Sequence, residues 1–428
     1  MKRISYLLLI ALLLFCLASC KADQPPEPYY LFVYNSKAMT EEDISAIRGL
    51  CDLYPDYEIA IVDACEQKNA ADVYRLLIQE RDARGYDPCG IQIFGTPSAV
   101  PAFVHKHEFE MQTQDEMFKE DDFVSDYFYT NFNNDPDMLN KISTHELAHS
   151  LDEIDIMPAW HVVRLPLLRG DFADFITKYR EYLVLIEEQD IVNVSIASPI
   201  LPVGWYSVAL DDTGYFLTRA RDEWKFIDNV HLYGTTEGVY ASTLDLEGSC
   251  NADDWAPLTK QNVCEIFHES HANKDVLSQT IFTGRGKYDY YCTDVLTTNT
   301  INRKLNGMPY FLYTGGCQPA KGMSGNIITK ALSGRCVGAF ASTTLQHGID
   351  IDCMLSGEEY VQGYCRYSLL YGYLKAKSEG ATRAEAFCAG QRQMALAFIQ
   401  NADTTDVQSY QSNLNNLLAF QNFGLIDP

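Results

Sequence analysis

Short apolar runs alternate with amphipathic stretches of about a dozen residues along this chain, and that rhythm limits the fold more than any other feature. Tyr29 to Tyr34, Glu58 to Val62 and Gly90 to Gly95 read as strands. Glu41 to Tyr54 and Asn69 to Arg84 read as the helices between them, the second with an apolar face at Val73, Leu76, Leu77 and Ile78. Phe172 to Gln189 is a long amphipathic helix, followed by a strand from Val192 to Ile200. Cys336 to Ala341 is a further strand, and the last hundred or so residues turn helical, chiefly over Glu359 to Lys377 and Arg383 to Ile399. Strands separated by helices pair side by side in parallel, so the expected class is α/β with a mostly parallel sheet. With 428 residues, 47% of them hydrophobic, the chain can form one large or two modest domains.

Pro309-Tyr310-Phe311-Leu312-Tyr313-Thr314-Gly315-Gly316-Cys317 has the clearest chemical consequence. An apolar run bounded by Pro and Gly reads as a buried strand, and the glycines allow a sharp turn that leaves the thiol at the C-terminal edge of the sheet. Ligands of open α/β sheets bind at that edge. Upstream, Val263 to Phe267 is a second short apolar run, and it leads into His268 and His271. A thiol and an imidazole at the ends of two strands can form a cysteine nucleophile with its base. Three residues apart on a strand, the two histidines point different ways, and spacing alone leaves both open.

The N-terminus carries Lys2 and Arg3 ahead of an apolar stretch from Tyr6 to Phe15 that is too short to span a bilayer as a mature anchor. Leu17-Ala18-Ser19-Cys20 resembles a bacterial lipobox. The resemblance implies a signal peptide over residues 1–19 and lipidation of Cys20, with the protein held in the cell envelope and facing outside the cytoplasm. Residues 20–28, with Pro25, Pro26 and Pro28, read as an extended tether. Net charge is −25, which argues against a nucleic-acid partner because phosphates would be repelled. Cys16 and Cys20 aside, the thirteen cysteines leave an odd number, so one thiol stays unpaired if the others form disulfides; Cys317 is the candidate.

Several separated segments resemble the gingipain-type cysteine peptidases, whose α/β fold is caspase-like. Ile91 to Gly95 followed by Val100-Pro101, Ser125-Asp126-Tyr127 followed by Asn133-Asn134-Asp135, and Asp155 to Pro166 lie in that family's order. Val163 stands where the family's strand carries glycine. His271 aligns with the family's catalytic histidine and Cys317 with its nucleophile. Ala339 to Thr343 and Gly424 to Pro428 resemble the segments that back and close the domain. The resemblance implies two similar subdomains: residues 29–190, and a catalytic one at 191–428 with a helical C-terminal part. It further implies a peptide or protein substrate, a Cys317/His271 dyad, and an oxyanion site made of the backbone N–H groups of Ala272 and Cys317. The flanks differ from the family's: Ser270 and Ala272 replace glycines, and Gln318-Pro319 follows the thiol.

A second motif competes. His145-Glu146-Leu147-Ala148-His149 matches H-E-x-x-H, which on a helix turns two imidazoles toward a zinc ion with Glu146 as base. A third ligand would have to come from Asp155 or, at longer range, Glu181; the bland alternative is a solvated helix over Met138 to Glu153. The expectation for the dyad is no cofactor, with zinc on the alternative reading; a third reading is a catalytically inactive, peptidase-like lipoprotein that binds without hydrolysis. The acidic turn at Asn133-Asn134-Asp135 leaves room for a structural Ca²⁺.

Overall fold

A computed structural model describes residues 27–106, 122–139, 142, 146–147, 150–198, 202–203, 206–207, 221–222, 229–239, 245–284, 289–344, 366–401 and 414–428. An 11-stranded sheet runs through it. From one edge the strands are Gly248–Ser249, Asn229–Gly234, Val192–Ala197, Cys264–Glu269, Tyr310–Thr314, Cys336–Ser342, Phe420–Gly424, His161–Leu165, Gly90–Phe94, Tyr29–Tyr34 and Glu58–Asp63. Every neighbouring pair is parallel except Cys336–Ser342 with Phe420–Gly424. The sheet is therefore two parallel halves that run in opposite directions and meet at that antiparallel pair.

Central strands are buried on both faces, as a helix-covered parallel sheet requires. Tyr29, Leu31 and Val33 enter one apolar layer, and Tyr30, Phe32 and Tyr34 the other. The edge strand Glu58–Asp63 alternates buried and solvated residues, and its charges protect it from further pairing. Helix Ala70–Arg84 begins where the Asn69 side chain accepts from Asp72 N and ends at Gly85, whose φ is +80°. The expected Glu41–Tyr54 helix is two pieces. Its α-helical part, Glu41–Arg48, starts with a capping box of Thr40 and Asp43, and a 3₁₀ segment follows from Gly49 to Leu53. Helix Phe172–Glu188 buries Phe172, Phe175, Ile176, Tyr179 and Tyr182, one stripe at helical spacing.

Phe420–Gly424 corrects the expectation of an entirely helical C-terminus. It is a buried strand, and its polar residues are absorbed by backbone groups. Gln421 Nε2 donates to Leu418 O at 2.6 Å, while its Oε1 accepts from Asp126 N at 2.9 Å. Among the described residues the helix expected over Met138 to Glu153 is not continuous: Pro136–Leu139 makes one helical turn, Ile142 is not helical, Glu146 and Leu147 are, and the N–H groups of Glu153 and Ile154 donate to Ser150 O in a turn.

Candidate active site

The geometry begins with strand register. Cys264–Glu269 and Tyr310–Thr314 are parallel neighbours with His268 opposite Thr314. His271 and Cys317 each lie three residues beyond that pair, so both leave the same edge of the sheet from adjacent strands, which are spaced about 4.8 Å apart. Gly315 N donates to His268 O at 3.0 Å, which carries the pairing into the turn.

The two glycines make the approach. A Cβ on Gly315 would lie 2.1 Å from Glu269 Oε1 and 2.2 Å from Oε2. One on Gly316 would lie 2.4 Å from Ala272 Cβ and 2.8 Å from Ser270 O. The thiol turn therefore packs directly on the histidine loop, at a distance that no side chain permits. Downstream, Gln318 takes a left-handed φ of +56°, and its N–H donates to Thr344 O at 3.0 Å. Ala320 N donates to Ser342 O at 3.0 Å, which ties the segment after the thiol to the end of the next strand. Gln318-Pro319 thus belongs to an ordered turn.

The structure separates the two histidines. His268 is buried, with Nδ1 3.1 Å from Thr314 Oγ1 and Nε2 3.0 Å from Ser278 O. A carbonyl can only accept, so Nε2 carries the proton and Nδ1 accepts from the threonine. Both nitrogens are spent, and His268 fastens the strand to the hairpin Val276–Phe282/Tyr290–Thr297. His271 is partly exposed, its ring stacked on Tyr290 at 5.9 Å between centroids and 14° between planes. Cys317 is partly exposed too. Tyr290 is 39% exposed, so it gives His271 an aromatic wall.

The Ala272 N–H, expected as an oxyanion donor, lies beside the Gly-Gly-Cys turn. Ser278 N donates to His271 O at 2.9 Å, and Ala272 pairs opposite Leu277. In an antiparallel ladder the next residue after a hydrogen-bonded pair turns its N–H away from its partner. Here that direction leads toward Gly316, whose added Cβ would meet Ala272 N at 3.0 Å.

Other motifs prove to be one structural network. Arg164, fully buried, forks onto Asp126 (Nε to Oδ2 2.6 Å, Nη2 to Oδ1 2.7 Å), and its Nη1 donates to Gly95 O at 2.7 Å and Val100 O at 2.9 Å. The Asn133-Asn134-Asp135 turn is tied to Asp155: Asp155 N donates to Asn134 Oδ1 at 2.7 Å, and Asn133 Nδ2 donates to Asp155 Oδ2 at 2.7 Å. Glu181 forks onto Arg335 at 2.7 and 2.9 Å. His145, His149, Cys20 and Trp205 lie outside the described residues. Among the described residues no group of three or more His, Cys, Asp or Glu could hold a metal ion, and no helix is long and apolar enough to cross a membrane. No disulfide joins two described cysteines, so parity no longer singles out Cys317; Cys250, Cys264, Cys336 and Cys388 are buried thiols. Burial pushes Cys250 and Cys264 up to about 12, far from nucleophilic range.

No family model and no curated protein matches the chain. Solved structures do. Gingipain R, an Arg-specific cysteine proteinase, superposes with a TM-score of 0.59 at 10% identity, covering 95% of this chain and 78% of that one. The fold is that of the gingipains. The complex of the Porphyromonas gingivalis RgpB pro- and mature domains aligns with a TM-score of 0.58 at 10% identity over 93% of this chain and 79% of that one. A structure described only as a protease gives a TM-score of 0.60 at 12% identity over 95% of this chain and 78% of that one. The fold is thus shared with cysteine proteinases, and the caspase-like arrangement expected from the motif series is present.

Proposed function

We propose that this protein is a cysteine endopeptidase of the bacterial cell envelope, anchored through a lipid on Cys20. The observation that carries the reading is the packing of Gly316 on Ser270 and Ala272, which brings the Cys317 turn and the His271 loop together at one sheet edge. Cys317 attacks the substrate carbonyl as the thiolate, and His271 takes the thiol proton. The tetrahedral oxyanion is held by the N–H groups of Ala272 and Cys317, a contribution of about 3–4 kcal/mol per donor in comparable sites. His271 then protonates the leaving amine, an acyl-enzyme forms at Cys317, and water releases it. The stacking of His271 on Tyr290 holds the ring at the sheet edge that carries the Cys317 turn. The exposed Tyr290 ring offers an apolar wall to a peptide.

Labelling of the full chain with a thiol-reactive peptide probe tests the assignment. Modification should map to Cys317, and Cys317→Ala should abolish both labelling and peptide cleavage. Cleavage that survives Cys317→Ala and stops on chelation would replace this reading with zinc chemistry at His145 and His149.

A further inference from the structure

Opposite the thiol, at the other edge of the sheet, lies an open cleft of about 870 Å³. Helix Phe172–Glu188, the start of helix Arg383–Asn401 and the residues after the last strand enclose it. Its position follows from Glu265, which lines it: this is the second residue of the strand whose other end leads to His271.

Half of the cleft's charged side chains are already paired. Arg383 forks onto Asp427 and is sandwiched between the rings of Tyr182 and Phe311, 5.0 and 4.7 Å away. Burial raises Asp427, but attraction and hydrogen bonds from Arg383 outweigh it and hold the carboxyl below its ordinary value. Arg180 pairs with Asp52 at 2.6 Å. Three acids then remain, Asp56, Glu187 and Glu265, against one lysine, Lys377.

Glu265 is the unusual one. It keeps 7% of its surface exposed and makes no hydrogen bond or ion pair with a described residue. Its neighbours across the sheet are Asn193 and Phe311; the Asn193 amide is turned to Ile191 O at 3.5 Å, and Phe311 has nothing to donate. A largely buried carboxylate that opens into a cleft without a protein partner has a cation as its natural complement. Beside it Leu183, Ile186 and Ile191 give the cleft an apolar side.

We infer that this cleft is a second ligand site, specific for an organic cation. A primary ammonium or guanidinium head pairs with Glu265, and an apolar stem lies along Leu183, Ile186 and Ile191. A free amine and a lysine or arginine side chain of a peptide share this chemistry. The site is independent of the reaction assigned to Cys317.

Titration calorimetry of the full chain with n-butylguanidine, and separately with the blocked tripeptide Ala-Arg-Ala, distinguishes the two sources. At least one should bind, while uncharged n-butylurea should not. Glu265→Gln should weaken binding at least tenfold, and Cys317→Ala should leave it unchanged. Ile186→Trp, which fills the cleft and keeps the carboxylate, should also block binding. Without ligand, Glu265→Gln should raise Tm, because an unpaired buried charge has been removed. Equal affinity in wild type and Glu265→Gln, binding that survives Ile186→Trp, or no binding by either cation would overturn the inference. Loss of binding in Cys317→Ala alone would move the cation to the thiol edge and overturn it too.

Discussion

In the N-terminal half of the sheet, the strands that begin at Tyr29, Glu58, Gly90 and His161 lie in the order second, first, third, fourth. The C-terminal half repeats that order from Val192 through Thr314, then adds Cys336–Ser342 on the inner side and a short strand at the rim, while Phe420–Gly424 runs parallel to the strands of the N-terminal half. Both halves extend the pairing of third and fourth strands by one backbone hydrogen bond, Gly95 N to Leu165 O at 2.9 Å in one and Gly315 N to His268 O at 3.0 Å in the other. Beyond that bond they diverge. The N-terminal half seals the space with Arg164 and Asp126, a buried fork that also takes up two carbonyls. The C-terminal half keeps His271 and Cys317 partly open to solvent. One topology thus ends in a buried plug in one half and in a partly open crevice in the other. Because the halves run oppositely, the plug and the crevice face opposite edges.

The comparison breaks most visibly at the plug. Arg164→Leu should leave Asp126 buried and uncompensated and cost about 3–5 kcal/mol, read as a lower midpoint in denaturant. The folded fraction should keep its catalytic rate, since the crevice lies in the other half. Acid should act on the same half. Burial pushes His105 and His161 down to about 4 from an ordinary 6.5. The unfolded chain therefore takes up protons first, and stability present above pH 6.5 is lost as pH falls toward 4, by up to about 3 kcal/mol per imidazole. Thermal melts between pH 7 and pH 4 should show this loss, reduced in His161→Phe.

Gly316→Ala sharpens the contrast from the other side. Its Cβ would press on Ala272 Cβ and Ser270 O, shift the thiol turn, and lower kcat/KM about 100-fold with little change in overall stability. Gly95→Ala, at a φ of +114° and with its Cβ 2.9 Å from Ala99 Cβ, should instead cost stability, about 1–2 kcal/mol, and leave kcat/KM unchanged. The smallest effect is expected for Ala272→Gly. The donor there is a backbone N–H, so kcat/KM should stay within about threefold, with at most about 1 kcal/mol lost to added chain freedom. Steady-state kinetics on peptide substrates checks both glycine positions and Ala272.

Much of the fold was legible because its signals are local. Apolar runs such as Tyr29 to Tyr34 and Gly90 to Phe94, and the stripe of helix Phe172–Glu188, show their burial in their own spacing. Phe420–Gly424 was not legible, because Gln421 and Asn422 look solvated until Asp126 and nearby carbonyls absorb the glutamine. The N-terminal motifs were visible as separate words, Gly95, Val100, Asp126 and Arg164. Their sense as a single ion pair with two carbonyl contacts exists only in three dimensions. Glu265 had no sequence signal at all: an acid on a strand reads as a solvated face until the cleft around it is seen.

The sequence by itself determined a helix-flanked parallel sheet and a thiol at the end of one of its strands, because periodicity, glycine and proline act over a few neighbouring residues. It left His268 and His271 as equals by spacing. The tertiary structure sets their surroundings apart, with Thr314 and Ser278 around both nitrogens of His268 and with His271 at the edge beside the Gly-Gly-Cys turn. That difference depends on hydrogen-bond partners 46 and 10 residues away in the chain, which local sequence does not encode.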